Sequence, residues 1–457
     1  MRDHNNVLKL WHFTDLHLFA REPMPAEEPY YDQITMRFSC EIIDQGLAMF
    51  LAEPNCDILL LSGDITCNGH AQEHKALIPR LRRVQQAGKR VLVVTGTHEY
   101  GQTKAQEHNG TGLPPLEHPE GKVFRHELAG LYEEFGPRDA IARYEPDNGM
   151  SYVAQLAPGY RLLCLNCDRA SRTFCDFDED HMQWIFAQLT EAKQAGETVF
   201  GMTHHPTLPP TPIYPILTQF DTQGGWETCT PRLADAGLRA MLTGHTHMMN
   251  IEPLITAAGN RYWDINTSAL VGYPGAFRVI ELEGRRMKVS VRHMDDLGFD
   301  TGGLGAKEYL ARHFDYLLRG VVESAANDIE SLANYSGEFG VNGKYIRQYR
   351  LPITLVGKYI NRATLGSVAR LLLCRIPKEA KKVSAKELFL ECVRNIYGGE
   401  EHYAPDTPVG EALLAMAGRV EWLLRRKLRG TPVEGLRELL GSVVYDPTPD
   451  YDLEIEL

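Results

Sequence analysis

Residue types that bind metal ions and move protons recur in this chain at the ends of short apolar runs. The first run, Leu10–Leu18, reads LWHFTDLHL and carries Asp15 and, two residues on, His17. Side chains alternate along extended backbone, so the pair is expected on one side of a strand end, a carboxylate and an imidazole facing one cation. Four more runs end in the same manner: Gly63-Asp64-Ile-Thr-Cys-Asn68-Gly69, Gly96-Thr97-His98-Glu99, Thr203-His204-His205-Pro206 and Gly244-His245-Thr-His247. Each alone has an ordinary explanation: Gly63-Asp64 opens a turn, Gly244-His245 caps a helix, His204-His205 sits at a core edge. Five such ends in one chain argue for a shared crevice containing Asp15, His17, Asp64, His98, His204, His245 and His247. Mixed imidazole and carboxylate donors suit Mn, Fe, Zn, Ni or Co better than an all-oxygen Mg or Ca cage.

The elements that must position these residues follow from periodicity. Apolar runs at Val7–Phe13, Asp57–Ser62, Arg90–Thr95, Tyr160–Leu165, Thr198–Thr203 and Arg239–Thr243 read as buried strands. Helix-period segments at Asp32–Leu51, Ala71–Ala87 and Asp180–Gln194 lie between several of them, which implies a layered α/β domain. Parallel strands in such a sheet present their carboxyl ends along one edge, where ligands bind. Further runs at Tyr262–Asn266, Phe277–Leu282 and Met287–Arg292 suggest a closing antiparallel portion. Two insertions, Gly101–Lys122 and Thr207–Trp226, each follow a His-bearing strand end and are expected to wall the substrate site.

Past the Gly-rich stretch 298–305 the texture becomes helical, at 307–333, 385–396, 409–429 and 433–441. Two domains are expected, 1–298 and a smaller all-α domain at 299–457, which suits a chain of 457 residues. Apolar residues make up 43% and charged residues 24%, a globular balance. Net charge is −12, and the first 299 residues hold 27 Lys and Arg against 38 Asp and Glu. That acidity is compatible with bound cations and disfavours nucleic acid as the main partner. The N-terminus lacks a cationic start and a long apolar core, and no run approaches the about 20 apolar residues of a membrane span, so a cytoplasmic location is expected. Nine scattered cysteines do not form a disulfide framework. Cys164-Leu-Asn-Cys167 has redox or zinc spacing, but its apolar setting favours core cysteines. The basic cluster Arg425, Arg426, Lys427 and Arg429 reads as a solvated helix end.

In block order and content the chain resembles the calcineurin-like metallophosphoesterase superfamily over about residues 7–294. Its blocks read Asp-x-His, Gly-Asp-x-x-x-x-Gly, Gly-Asn-His-Asp/Glu, a His often before Pro, and Gly-His-x-His. The resemblance implies a four-layer αββα sandwich with two divalent metal ions. Asp15, His17, Asp64 and His247 would hold one; Asp64 would bridge to a second, held also by His204 and His245. His204 is preferred to His205 because the family's histidine usually stands two before the proline. Two departures stand out. Thr97 replaces the Asn that gives a neutral carbonyl ligand, and Cys67 stands where some members carry an Asp that orients the catalytic His. Both are expected to weaken the second metal or the turnover.

The implied activity is phosphoester hydrolysis, with a metal-bridged hydroxide attacking phosphorus while His98 protonates the leaving oxygen or steadies the phosphate charge. With its Asp-x-His start and helical extension, the chain looks like the class III cyclic-nucleotide phosphodiesterases, which implies a small phosphodiester as substrate. A phosphomonoesterase, a nuclease and a weakly active scaffold or sensor favoured by Thr97 and Cys67 are the competing expectations. The C-terminal helices are expected to cover the crevice, dimerise or bind a partner.

Overall fold

The computed structural model describes residues 7–20, 35–101, 121–147, 150–168, 176–217, 222–335, 343–431 and 433–457. Most of the insertion at Gly101–Lys122, part of the one at Thr207–Trp226, and Cys175 lie outside them.

Each strand run in the sequence becomes a strand. The parallel trio β1 (Leu8–Phe13), β2 (Cys56–Ser62) and β3 (Arg90–Val94) forms half of a six-stranded sheet. Antiparallel β11 (Ala276–Glu283), β12 (Arg286–His293) and β13 (Leu453–Glu456) complete it, in the order β13-β12-β11-β1-β2-β3. A seven-stranded sheet runs β4-β5-β6-β7-β8-β10-β9. Its parallel core is β6 (Tyr160–Cys164), β7 (Thr198–Met202), β8 (Ala240–Thr243) and β10 (Arg261–Asn266), flanked by β4 (Ala142–Tyr144), β5 (Ser151–Ala157) and β9 (Asn250–Ile255).

Period-2 alternation decides what each sheet faces. Leu10, Leu60, Leu92 and Ile280 of the first sheet and Leu162, Phe200, Leu242 and Ile265 of the second pack together as one dry layer between the sheets. Trp11 and Phe13 point the other way, and Trp11 meets Phe50 of helix α1 (Ser39–Ala52) with ring centroids 5.6 Å apart. On the outer face of the second sheet, Leu163 and Met241 pack with Met182, Ile185 and Leu189 of the helix Glu179–Ala195 and with Leu233 of the helix Trp226–Asp235. The result is the four-layer α/β sandwich expected from the sequence, and among the described residues the region after Ala306 is largely helical.

By packing, the chain divides into two units. The first gathers the chain up to Pro210, most of the stretch to Leu310, and Asp450–Leu457. The last eight residues thus return to the sandwich: β13 pairs with β12, and its Leu453 and Ile455 join the layer between the sheets. Arg278, fully buried on β11, fixes the return by donating to the Asp450 carbonyl at 2.7 Å, while Asp450 Oδ1 accepts from the Ile251 amide at 2.6 Å. The second unit, mostly residues 311–449, has its own small core of Leu365, Ala369, Leu388, Ala412 and Met416. Its helices Ala385–Gly398 and Pro408–Leu428 start on Ser384 and Thr407, whose side chains accept from the amides of Glu387 and Gly410.

Leu10 is fully buried between the sheets, so Leu10→Ala is expected to cost about 2–5 kcal/mol, as a large-to-small change in a tight core does. A urea unfolding midpoint unchanged within error would show that this layer does not hold the sandwich together.

Candidate metal centre

The carboxyl ends of β1, β2 and β3 in one sheet and of β7 and β8 in the other meet at one edge of the sandwich, and every block residue leaves from there. Asp15 and His17 follow β1, Asp64 follows β2, Thr97 and His98 follow β3, His204 follows β7, and His245 and His247 follow β8. The expectation that Asp15 and His17 share a face through extended backbone is corrected by the structure. Strand β1 stops at Phe13, and both residues adopt left-handed backbone, with φ of 51° and 38°. Asp64, His245 and His247 do the same, at 46°, 71° and 60°. Five of the seven non-glycine residues with positive φ among the described residues are therefore candidate ligands. Such backbone is costly, about 1–3 kcal/mol each, and persists only where surroundings enforce it.

Main-chain bonds between the strand ends supply that enforcement. The Asp15 amide donates to the Gly63 carbonyl at 3.1 Å, and the His17 amide to the Asp64 carbonyl at 2.9 Å. The carboxylates then tie the blocks to one another: Asp15 Oδ2 accepts from the His245 amide at 2.9 Å, and Asp64 Oδ1 from the His98 amide at 2.9 Å. Glycines are required where these side chains touch backbone. A Cβ on Gly244 would stand 2.0 Å from Thr14 Oγ1 and 2.5 Å from Asp15 Oδ2, and one on Gly96 would stand 2.4 Å from Asp64 Oδ1.

Donor atoms converge in overlapping groups whose members lie within 4.8 Å of one another: Asp15, His17 and His247; His17, Asp64 and His98; Asp64, His204 and His245. His17 Nε2 and His247 Nε2 approach to 3.0 Å, and His245 Nδ1 and His204 Nε2 to 3.2 Å. Two nitrogens bound at about 2.1 Å to one ion at a right angle stand about 3.0 Å apart, so these spacings fit paired ligands as well as they fit hydrogen bonds. Asp15 Oδ1 is buried without a hydrogen-bond donor, 3.3 Å from His247 Nε2 and 3.6 Å from His17 Nε2. A carboxylate oxygen in that position, surrounded by imidazole nitrogens, fits a cation.

Carbonyl oxygens set the ring orientations. His204 Nδ1 stands 2.8 Å from the Ser62 carbonyl, which can only accept, so Nδ1 carries a proton, and Nε2, 3.1 Å from Asp64 Oδ2, is the nitrogen left for a cation. His205, the next residue, aims Nδ1 at Cys167 Sγ, 3.3 Å away. His98 Nδ1 likewise meets the Cys67 carbonyl at 2.5 Å, leaving Nε2 toward the site, 3.8 Å from Asp64 Oδ2. The orientation that an Asp side chain gives in other members thus comes here from the main chain of Cys67. His98 is also more open than two of the other imidazoles, 29% exposed against 14% for His247 and none for His204. Thr97 is buried between Gly96 and His98, both of which touch Asp64.

Sequence reasoning missed the residues behind the donors. Glu99 accepts from the amides of Asp64, Thr66 and Gly96 at 3.0, 2.9 and 2.6 Å, binding the second and third blocks together. Burial and then the Asp64 charge push its carboxyl up to about 8, against the pull of those donors. His12, held between Ser62 and Thr267, is driven down to about 3 by burial and by Arg278. Glu99 closes the third block, and His12 lies within the first run, but residue type alone assigned neither a role.

In the metal-free protein, burial opposes the charge on Asp15 and Asp64, yet the neighbouring histidines hold both carboxyls well below their usual range. Burial likewise works against a charged His204, but the Asp64 carboxylate outweighs it and raises this imidazole well above its usual value. A cation must displace that proton, because only the neutral ring ligates. Metal uptake is therefore expected to release protons, and affinity to rise with pH until the His204 ring is neutral without help. Titration of zinc or manganese into the apo-protein in two buffers of different ionisation enthalpy reads the proton count; no release would contradict the pairing of His204 with Asp64.

A family model described as calcineurin-like phosphoesterase matches residues 8–249. No curated protein matches the chain in sequence. Among solved structures, a dimetal phosphatase from Danio rerio is 15% identical, over 64% of this chain and 97% of the other, with a TM-score of 0.45. A purple acid phosphatase from yellow lupin (Lupinus luteus) seeds is 12% identical, over 64% and 52%, at 0.42. A 5'-nucleotidase precursor from Thermus thermophilus is 13% identical, over 69% and 59%, at 0.35. The family match runs from the first strand through the Gly-His-x-His block and covers more than half of the 457 residues: the protein belongs to the calcineurin-like phosphoesterases, a superfamily of dinuclear-metal-dependent phosphoester hydrolases.

Proposed function

We propose that the protein is a dinuclear-metal-dependent phosphodiesterase acting on a small, cyclic-nucleotide-like phosphoester. The observation that carries the proposal is the position of Asp64, whose carboxylate belongs to one donor group with His17 and His98 and to another with His204 and His245. Asp15, His17, Asp64 and His247 would hold one cation, and Asp64, His204 and His245 a second, with Thr97 beside them. Bound there, two divalent cations of the Mn, Fe, Zn, Ni or Co class supply positive charge to the phosphoryl oxygens and acidify water.

The chain's own residues then do the rest. His98, its Nδ1 fixed by the Cys67 carbonyl, carries a proton at Nε2 toward the leaving oxygen, and its exposure places it on the substrate side. A diester is the proposed substrate because the block pattern with a helical extension resembles that of the class III cyclic-nucleotide enzymes; the alkoxide that departs from it needs that proton, as it would from a monoester. Thr97 offers a hydroxyl where a carbonyl is usual, so the second cation is expected to bind more weakly than the first.

Hydrolysis of bis(p-nitrophenyl) phosphate and of p-nitrophenyl phosphate by manganese-loaded protein tests the proposal. Metal-dependent turnover with faster diester cleavage is expected; no turnover at any metal concentration would leave a metal-binding scaffold, and faster monoester cleavage a phosphatase. Asp64→Ala is expected to lose both metals and activity. His98→Ala should keep its metals and, on a cyclic nucleotide whose alkoxide leaving group needs a proton, lose about 10²–10⁴ in rate, the range of a missing general acid; normal turnover of that substrate would remove His98 from the mechanism.

A further inference from the structure

We propose that Cys167, Asp168 and His205 form a third cation site, distinct from the cluster around Asp64, that takes a zinc-class divalent ion through one sulfur, one carboxylate oxygen and one imidazole nitrogen. Strands β6 and β7 run parallel with Cys164 opposite Met202, and Cys167 and His205 each lie three residues beyond that pair. Equal offsets bring the two side chains together, with Cys167 Sγ 3.3 Å from His205 Nδ1. Asn166 braces the turn: its Nδ2 donates to Thr95 Oγ1 at 3.0 Å and its Oδ1 accepts from the Asp168 amide at 2.8 Å, which sets Asp168 beside Cys167.

The donor atoms of all three lie within 4.8 Å of one another, and the residues are only 1%, 2% and 1% exposed. Sulfur and nitrogen bound to zinc at about 2.3 and 2.0–2.1 Å at a tetrahedral angle stand about 3.5 Å apart, close to the distance found. A cation entering here displaces the Cys167 thiol proton to solvent and is neutralised by the thiolate and the Asp168 carboxylate, and this donor set is of the borderline-soft kind that selects zinc over magnesium or calcium. Three protein ligands leave the fourth tetrahedral position to water or to an oxygen of a bound phosphoester. The site adjoins the Asp64 cluster through His205, whose ring lies 4.0 Å from that of His245. Cys164, by contrast, points into the layer between the sheets, so the Cys-x-x-Cys spacing does not act as a pair.

Sulfur separates this site from the other, because the donor groups around Asp64 contain only nitrogen and oxygen. Full-length protein is loaded with cobalt(II) alone and its near-ultraviolet spectrum recorded. A sulfur-to-cobalt charge-transfer band is expected, lost in Cys167→Ser and in His205→Gln along with one equivalent of metal by elemental analysis. A wild-type spectrum without the band, or a band that survives in a folded Cys167→Ser, overturns the proposal and leaves a thiol–imidazole hydrogen bond. Should both variants misfold, X-ray absorption of zinc-loaded wild type decides: a sulfur shell at about 2.3 Å supports the site, and nitrogen and oxygen shells alone refute it. Failure of the two-metal reading would change the total metal count and leave the sulfur signature as it is.

Discussion

Left-handed backbone at Asp15, His17, Asp64, His245 and His247 is the constraint on which the rest of this structure depends. A side chain leaving a strand end in extended conformation would continue along the sheet face; a left-handed residue turns the chain and throws its side chain back over the strand ends. Three strand ends turned in that way, two in one sheet and one in the other, point their donors at a common volume. Each such turn disfavours folding, and the structure sustains five of them because they brace one another. The Asp15 and His17 amides bond to the second block, the His98 amide to Asp64, and the His245 amide to Asp15.

Behind these bonds the sandwich is stiff. Dry packing between the sheets and helices on both outer faces leave the strand ends little freedom to drift, which holds the donors near the geometry a cation needs. Glycines at 63, 96 and 244 belong to the same design: each lets a donor side chain of another block lie against bare backbone. Function and folding pull in opposite directions here. In the metal-free protein two buried carboxylates and several imidazoles share the edge, and a bound cation relieves that conflict.

Much of this was legible in the sequence, for physical reasons. Parallel strands buried on both faces read as continuous apolar runs, so β1, β2, β3, β6, β7 and β8 were plain, and ligand-type residues placed just after them stood out. Strands β4, β5, β9 and β13 escaped that reading. Strand β4 is only three residues, Ala142–Tyr144, too short for alternation to register, and β9 contains Pro253, which breaks a strand pattern. Strand β13 alternates Leu453-Glu454-Ile455-Glu456, yet its partner β12 lies more than 150 residues away, and nothing local announces the pairing. The conformation of Asp15 and His17 was also hidden, because alternation explains a shared face as well as a turn does. Glu99 and the Cys67 carbonyl escaped for a related reason: main-chain partners leave no mark on residue type.

The central claim is most directly tested by an anomalous-scattering map from a crystal grown with manganese. Two peaks about 3.5–4 Å apart are expected, one among Asp15, His17 and His247, the other between His204 and His245, with Asp64 touching both. A single peak, or peaks away from Asp64, would contradict the account.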